Sequence, residues 1–119
     1  NAQYIKGQGW YVGNERNGEI IGVVGYDNYN GASVCTHIAG NGYFLSREFL
    51  WFIFYYPFEQ MKVKKLIGLV ASNNEKAMKL DLNLGFVHEA TIKDAYPNGD
   101  MNILTMTREQ CKFLAIRKP

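Results

Sequence analysis

Cysteine is scarce in this sequence, with Cys35 and Cys111 the only two among 119 residues. Two cysteines are too few for a disulfide framework, and these two lack the clustering of a metal site. A bound metal is therefore not expected. A reducing compartment inside the cell, the cytoplasm, is the simpler location for such a chain.

The sequence also lacks a long apolar run and a strong charge of one sign. Its most apolar stretch, FLWFIFYYP at 49–57, is shorter than the roughly 20 residues that cross a bilayer. The stretch is internal and is therefore not a signal peptide either. The net charge of +2 gives no general electrostatic reason to bind nucleic acid or a membrane, and neither partner is expected.

The composition is that of one ordinary globular domain. Hydrophobic residues make up 47% of the chain and charged residues 20%, which argues against disorder. A chain of 119 residues buries one core and has no room for a second, so a single domain over 1–119 is expected. The predicted elements are strands at about 10–16, 19–27, 33–39, 65–71, 86–93 and 101–107 and helices at about 46–61 and 74–84.

Local signals set the boundaries of these elements. Asn17-Gly18 lies between two apolar runs, and this pair favours the positive φ of a type I′ hairpin turn. Ser46 can cap the first helix, and Pro57 should kink or end it. Gly85 is placed to end the second helix in the left-handed conformation.

The element order β-β-β-α-β-α-β-β predicts an α+β fold, a mixed arrangement of helices and a mostly antiparallel sheet. Three consecutive strands form an antiparallel meander, whereas a strand, a crossover helix and a strand imply one parallel pair. That pair is 33–39 beside 65–71. The carboxyl ends of such strands, next to the free N–H groups of a helix N-terminus, form a crevice for a ligand.

The most specific pattern runs from the fourth predicted strand through the second helix: VASNNEKA at 70–77, then LGFVHE at 84–89. This pattern resembles the GCN5-related N-acetyltransferase (GNAT) superfamily, in particular its ribosomal-protein-acetylating and phage-encoded branches. The resemblance covers about residues 10–107. It implies helices on both faces of the sheet, a splayed parallel pair that binds acetyl-coenzyme A (acetyl-CoA), and direct transfer of the acetyl group to an amine.

Several positions depart from the pattern of the superfamily. Its pyrophosphate loop is matched poorly by AGNGYFLSR at 39–47, and Ala90 replaces a glycine. Asp81 occupies the position where many members carry a proton-donating tyrosine. An ordinary aspartate is ionised at neutral pH, so Asp81 is not expected to donate a proton. The first strand and two helices, which usually help to build the acceptor site, are absent or reduced to 1–9.

The resemblance places the cofactor along the third predicted strand, the loop after it and the start of the second helix. The strand edge that is unpaired where the parallel strands splay would offer backbone groups to the pantetheine amides. The loop and the helix N-terminus would hold the pyrophosphate. The expected cofactor contacts are Thr36, His37, Ile38, Gly40, Gly42, Ser46, Arg47 and Asn74.

Two of these residues have plain structural alternatives. His37 is also the candidate catalytic base, because histidine titrates near neutrality, but a lone histidine on a strand is more often structural. Asn74 fills an N-cap well, whether or not it also contacts the cofactor.

The resemblance leaves two functions open. The first is an N-acetyltransferase that acts on a protein N-terminus, a lysine or a small amine. The second is a non-catalytic acyl-CoA-binding or structural module, such as a virion-associated one, that retains the fold. The expected partners are CoA, the amine acceptor and a second copy of the chain in a homodimer. For a phage-encoded protein, the expected location is the cytoplasm of the host.

Overall fold

The computed structural model describes residues 2–5, 9–40 and 45–116, the first of these segments by its backbone alone. The described chain forms one seven-stranded sheet in the order β1-β2-β3-β4-β5-β7-β6. Its elements are β1 (Ala2–Ile5), β2 (Gly9–Arg16), β3 (Glu19–Asp27), β4 (Ser33–Gly40), α1 (Arg47–Tyr55), β5 (Lys65–Ala71), α2 (Glu75–Leu84), β6 (Val87–Tyr96) and β7 (Gly99–Thr107). Short helical turns at Tyr56–Gln60 and Leu114–Ile116 follow α1 and β7.

The parallel strands β4 and β5 pair for three residues and then separate. Their last pair joins Cys35 to Ile67, although β4 continues to Gly40 and β5 to Ala71. Beyond that pair β4 remains hydrogen-bonded to β3, and β5 to β7. The edges of β4 and β5 that face each other do not pair there. We call this opening, between 36–40 and 68–71, the fork.

Both helices pack on the same face of the sheet. The Tyr26 hydroxyl of β3 donates to the Ile53 carbonyl of α1, and the Asp81 carboxylate of α2 lies over Gly68 of β5. Strand register places Tyr26 and Gly68 on one face. Two right-handed crossovers that move the same way across a sheet put their helices on the same side. The expectation of helices on both faces is therefore corrected, and we call the opposite face the open face.

The core lies between the sheet and the two helices, and it fixes α2 beside the fork. The ring of Phe54 in α1 stacks on Phe113 at 5.1 Å between centroids and contacts Phe86 at 6.4 Å. The side chains of the central strands on this face are fully buried; they are Val24, Val34, Leu66, Leu104 and Met106.

The six predicted strands and both predicted helices occur in the predicted order. The hairpin turn is confirmed, with φ of 53° at Asn17 and 83° at Gly18, and Gly85 ends α2 with φ of 110°. Helix α1 ends at Tyr55, next to the end near Tyr56 that Pro57 predicts, and a wider helical turn through Pro57 follows because proline cannot donate to the helical ladder.

Strand β1 is an addition to the predicted elements. It lies within 1–9, where the resemblance implied an absent or reduced segment, and it pairs with β2 along four residues. Four residues are too few for an alternating pattern to be recognised in the sequence. This strand is therefore identified only by its pairing with β2 in the folded chain.

Candidate functional site

A cavity of 420 Å³ lies between the end of β4 and the start of α2, beside the fork. Its position agrees with the predicted crevice, and Ile38, Gly40 and Asn74 are predicted contacts that line it. A ligand here can pair with the edge of β4 that β5 leaves free. The lining residues are Ile38, Ala39, Gly40, Asn74, Lys76, Ala77 and Leu80.

Asn74 both starts α2 and lines the cavity. Its Oδ1 accepts a hydrogen bond from the backbone N–H of Ala77 at 3.1 Å, and its own N–H donates to the carbonyl of Ala71 at 2.9 Å. Asn74 is therefore the N-cap of α2. Lys76 adds a positive charge to the same wall, so this end of the cavity favours carbonyl or anionic groups of a ligand.

Asn74→Ala is expected to lower the free energy of unfolding by about 0.5–2 kcal/mol, because the cap is lost. Asn74→Asp keeps a capping oxygen but adds negative charge to the cavity wall, so it should keep the fold and weaken CoA binding. Urea denaturation measures the first effect and isothermal titration calorimetry the second. Asn73→Asp, on the exposed neighbour outside the cavity lining, is the control. Unchanged CoA affinity in a folded Asn74→Asp variant rules out contact with the cofactor.

Thr36, Gly68 and Asp81 surround the point where the fork opens, and we call them the fork vertex. Thr36 and Gly68 directly follow the last pair between β4 and β5. Thr36 is 6% exposed, and its Oγ1 has no hydrogen-bond partner among the described residues. A Cβ added to Gly68 would lie 3.3 Å from Asp81 Oδ2, so α2 brings this carboxylate onto the start of the fork.

Burial makes Asp81 easier to protonate than an ordinary carboxylate, although a carboxyl with a pKa of about 6 is still mostly ionised at neutral pH. The residue is 9% exposed, and within the described part of the chain its side chain accepts no hydrogen bond. Burial disfavours the charged form and raises the pKa of the Asp81 carboxyl from 3.8 to about 6. Helical geometry causes this burial, because Asp81 lies one turn after Ala77, on the side of α2 that packs on the sheet.

His37 lies on the open face, whereas the cavity is on the helical face. Its Nε2 is 3.2 Å from both carboxylate oxygens of Asp27. Asp27 lies on β3 opposite Cys35, which precedes His37 by two residues on β4 and shares its face of the sheet. The imidazole is exposed, and the carboxylate holds one of its nitrogens. His37 directly follows Thr36 along β4, so this imidazole borders the fork vertex from the other side of the sheet.

The predicted pyrophosphate residues are only partly brought together. Gly40 lines the cavity, and Gly42 lies outside the described residues. Ser46 caps α1, since its Oγ accepts a hydrogen bond from the Phe49 N–H at 3.2 Å. It lines a separate cavity of 220 Å³ between α1 and β2. Arg47 is exposed and lines neither cavity.

Sequence reasoning missed part of the cavity and the partner of His37. Ala77 and Leu80 follow Asn74 by three and six residues, and helical periodicity alone would have placed them on its side of α2. Asp27 could not be found in this way, because its contact with His37 depends on the register between β3 and β4.

The described segments contain neither a candidate metal site nor a helix that could span a membrane. In 2–5, 9–40 and 45–116, no group of three or more His, Cys, Asp and Glu side chains is arranged to hold a metal ion. No helix in this part of the chain is long and apolar enough to cross a membrane.

No protein-family model and no curated protein matches the chain, but solved structures do. A dodecameric spermidine N-acetyltransferase from Vibrio cholerae is 21% identical with a TM-score of 0.72, over 87% of this chain and 67% of the other. The N-acetyltransferase PseH from Campylobacter jejuni, solved with acetyl-CoA, is 22% identical with a TM-score of 0.67, over 87% and 70%. A ribosomal-protein alanine acetyltransferase from Vibrio fischeri is 22% identical with a TM-score of 0.69, over 87% and 63%.

These similarities concern the arrangement of the backbone. Identities of 21% and 22% with TM-scores of 0.67 to 0.72 relate the folds and leave the chemistry to be argued from the site. The α+β class and the single parallel pair agree with the predicted fold. The chain therefore has the fold of these N-acetyltransferases.

Proposed function

We propose that this protein is an N-acetyltransferase of the GNAT superfamily, which moves an acetyl group from acetyl-CoA to an amine. The fork carries the proposal, because β4 and β5 separate after three pairs beside a cavity of 420 Å³. The pantetheine arm of CoA contains amides, which can pair with a free strand edge as an added strand does. Thr36, His37 and Ile38 supply that edge of β4.

The cavity walls suit the rest of the cofactor. Asn74 and Lys76 present a capping amide, a helix N-terminus and a positive charge. We place the pyrophosphate between this wall and Gly40, which lines the same cavity. Contacts from Gly42, which lies outside the described residues, and from Ser46 and Arg47 stay predictions. The buried Thr36 hydroxyl, which lacks a partner among the described residues, fits a polar group of the bound cofactor.

The open face supplies the approach of the acceptor amine and the base that takes its proton. The thioester lies in the fork, between the two faces, and an amine that approaches from the open face meets His37 beside the fork vertex. His37 acts as the general base that takes the proton of the attacking nitrogen. Asp27, 3.2 Å from His37 Nε2, orients the imidazole and stabilises it once it is protonated.

The similar structures support the donor and the class of acceptor. The Campylobacter jejuni protein is a complex with acetyl-CoA, and the other two names specify spermidine and the alanine of a ribosomal protein as acceptors. Both acceptors are amines. We therefore propose an amine as the acceptor for this chain, without choosing between a protein and a small molecule.

CoA is expected to stabilise the protein, because a ligand that binds only the folded state shifts the unfolding equilibrium. The gain is about 2.7 kcal/mol at a ligand concentration one hundred times the Kd. Differential scanning fluorimetry with CoA and acetyl-CoA measures it, and equimolar ATP controls for nonspecific binding of a polyphosphate. A melting temperature that millimolar CoA leaves unchanged contradicts the proposal.

A non-catalytic acyl-CoA-binding module is the second candidate. It is favoured by the open face, which neither α1 nor α2 covers, since a productive acceptor site needs walls that orient the amine. The two candidates are separated by transfer of labelled acetyl groups to a panel of polyamines, lysine peptides and N-terminal peptides. CoA binding without transfer to any of them favours the module.

Self-association and location complete the proposal. The Vibrio cholerae structure is dodecameric, which supports a homo-oligomer; we propose a homodimer, and light scattering after gel filtration tests it. Both cysteines are free, which agrees with a reducing compartment, and we propose the cytoplasm.

A further inference from the structure

The open face of β5, β7 and β6 carries a continuous apolar surface. Strand register sets its side chains beside one another across the three strands, over about 10 Å across the strands and about 13 Å along them. Four of the larger side chains are half-buried, and two on β6 are 46% and 49% exposed. We call the six of them the apolar patch: Ile67, Leu69, Met101, Ile103, Val87 and Ile92. Apolar surface that a fold leaves uncovered in this way marks a contact with another molecule.

The apolar patch begins directly across the fork from His37. Cys35 and Ile67 form the last pair between β4 and β5, and His37 and Leu69 each lie two residues further along these strands. Side chains two residues apart on a strand share a face, so His37 and Leu69 both lie on the open face. A molecule that presents its amine to His37 can therefore extend over Leu69 and across β7 to β6.

The carboxylates beside this route already have partners. Glu89 Oε1 accepts a hydrogen bond from the Thr105 hydroxyl at 2.7 Å and lies 3.0 Å from Lys65 Nζ. These two contacts lower the pKa of the Glu89 carboxyl, with the hydroxyl contributing most. Asp27, on the other side of the fork, holds His37. A polyamine that crossed the apolar patch would lose water from its ammonium groups and would have to break one of these pairs to replace it.

We propose that the acceptor amine belongs to a polypeptide, and that apolar side chains next to this amine pack on the apolar patch. The assignment rests on the proposed function, since it requires acetyl transfer at the fork. An extended polypeptide advances by about 3.3 Å per residue, so about three residues beside the amine cover the distance from β5 to β6. A small amine is too short to use this surface. The amine itself is either an N-terminus or a lysine, and the patch selects the residues around it.

Matched pairs of peptides test the assignment. For an N-terminal amine the pair is Ala-Leu-Leu-Gly-amide and Ala-Ser-Ser-Gly-amide; for a lysine it is acetyl-Leu-Lys-Leu-Gly-amide and acetyl-Ser-Lys-Ser-Gly-amide. With saturating acetyl-CoA, we expect kcat/KM of the leucine peptide to exceed that of its serine counterpart about tenfold in one pair or both. This is the lower end of the effect of one methylene group in an apolar site, because the patch is open to solvent on one side. Spermidine should be acetylated no faster than the serine peptides.

Ile103→Thr tests the surface itself, because threonine keeps the branched Cβ and adds a hydroxyl. It should lower kcat/KM for the leucine peptide towards that of the serine peptide. The affinity for CoA, measured by calorimetry, should stay the same, since the cavity is on the helical face. Val87→Thr, at a more exposed position of the patch, is the second variant in case Ile103→Thr does not fold. Ile20→Thr, at a residue of β3 that is 64% exposed and outside the patch, is the matched control and should keep the leucine preference.

Three results overturn the assignment and leave the proposed function intact. They are equal rates with the leucine and serine peptides, a higher kcat/KM for spermidine, and a leucine preference that persists in folded Ile103→Thr or Val87→Thr enzyme. Light scattering tests the remaining occupant, a second copy of the chain. An oligomer that Ile103→Thr dissociates would place that copy on the patch and also overturns the assignment. A wild-type protein that binds CoA but acetylates no amine overturns both the assignment and the proposed function.

Discussion

Replacing His37 by glutamine is expected to lower kcat/KM for acetyl transfer by about 10²–10⁴, the usual effect of losing a general base. Glutamine has a similar length and can still donate a hydrogen bond to Asp27, so the open face should keep its geometry. It cannot take a proton from the attacking amine. Steady-state kinetics with saturating acetyl-CoA measures the loss, and CoA affinity should stay the same because the imidazole is outside the cavity.

His88→Gln is the matched control, because His88 is the second of the two histidines in the sequence. It lies on β6, where its Nε2 is 2.9 Å from the Thr91 hydroxyl, and the variant should keep the wild-type rate. Asp27→Asn should cost less than His37→Gln, since it removes the orienting carboxylate but leaves the imidazole. A folded His37→Gln enzyme with the wild-type rate contradicts the role as a base and leaves water as the proton acceptor.

Features that depend on neighbours in the chain were predictable from the sequence. The Asn17-Gly18 turn, the cap at Asn74 and the end of α2 at Gly85 follow from residues that tolerate or require particular backbone conformations. The parallel pair followed from the order of elements, because a parallel pair needs a crossover connection and a strand, a helix and a strand supply one.

Features that depend on packing were not predictable. The ionisation of Asp81 depends on which side of α2 faces the sheet and on the absence of a side chain at Gly68. The contact of His37 with Asp27 depends on the register of two strands, because one residue of slip would move His37 to the other face. Burial and register are properties of the assembled sheet, so the chemistry of the fork could be assigned only after folding.

The stability of Asp81→Asn relative to the wild type is expected to be higher at pH 7–8 than at pH 4. In the folded state burial raises the pKa of the Asp81 carboxyl from 3.8 to about 6, so between these pH values the folded wild type holds a proton that the unfolded chain has released. The contribution of this proton to stability is fully present below pH 4 and is lost as the pH rises through about 6.

The loss corresponds to about 3 kcal/mol, because each factor of ten in proton affinity is about 1.4 kcal/mol. The stability of Asp81→Asn minus that of the wild type should therefore rise by about this amount between pH 4 and 7 and stay constant above. Urea denaturation at several pH values measures the difference, and Glu109→Gln, at an exposed carboxylate, should follow the wild type throughout. A difference that does not change with pH would mean that the folded chain leaves Asp81 as easily ionised as the unfolded chain does. The pKa of the folded carboxyl would then stay near its ordinary value of 3.8, and the surroundings of Asp81 would not disfavour its charged form.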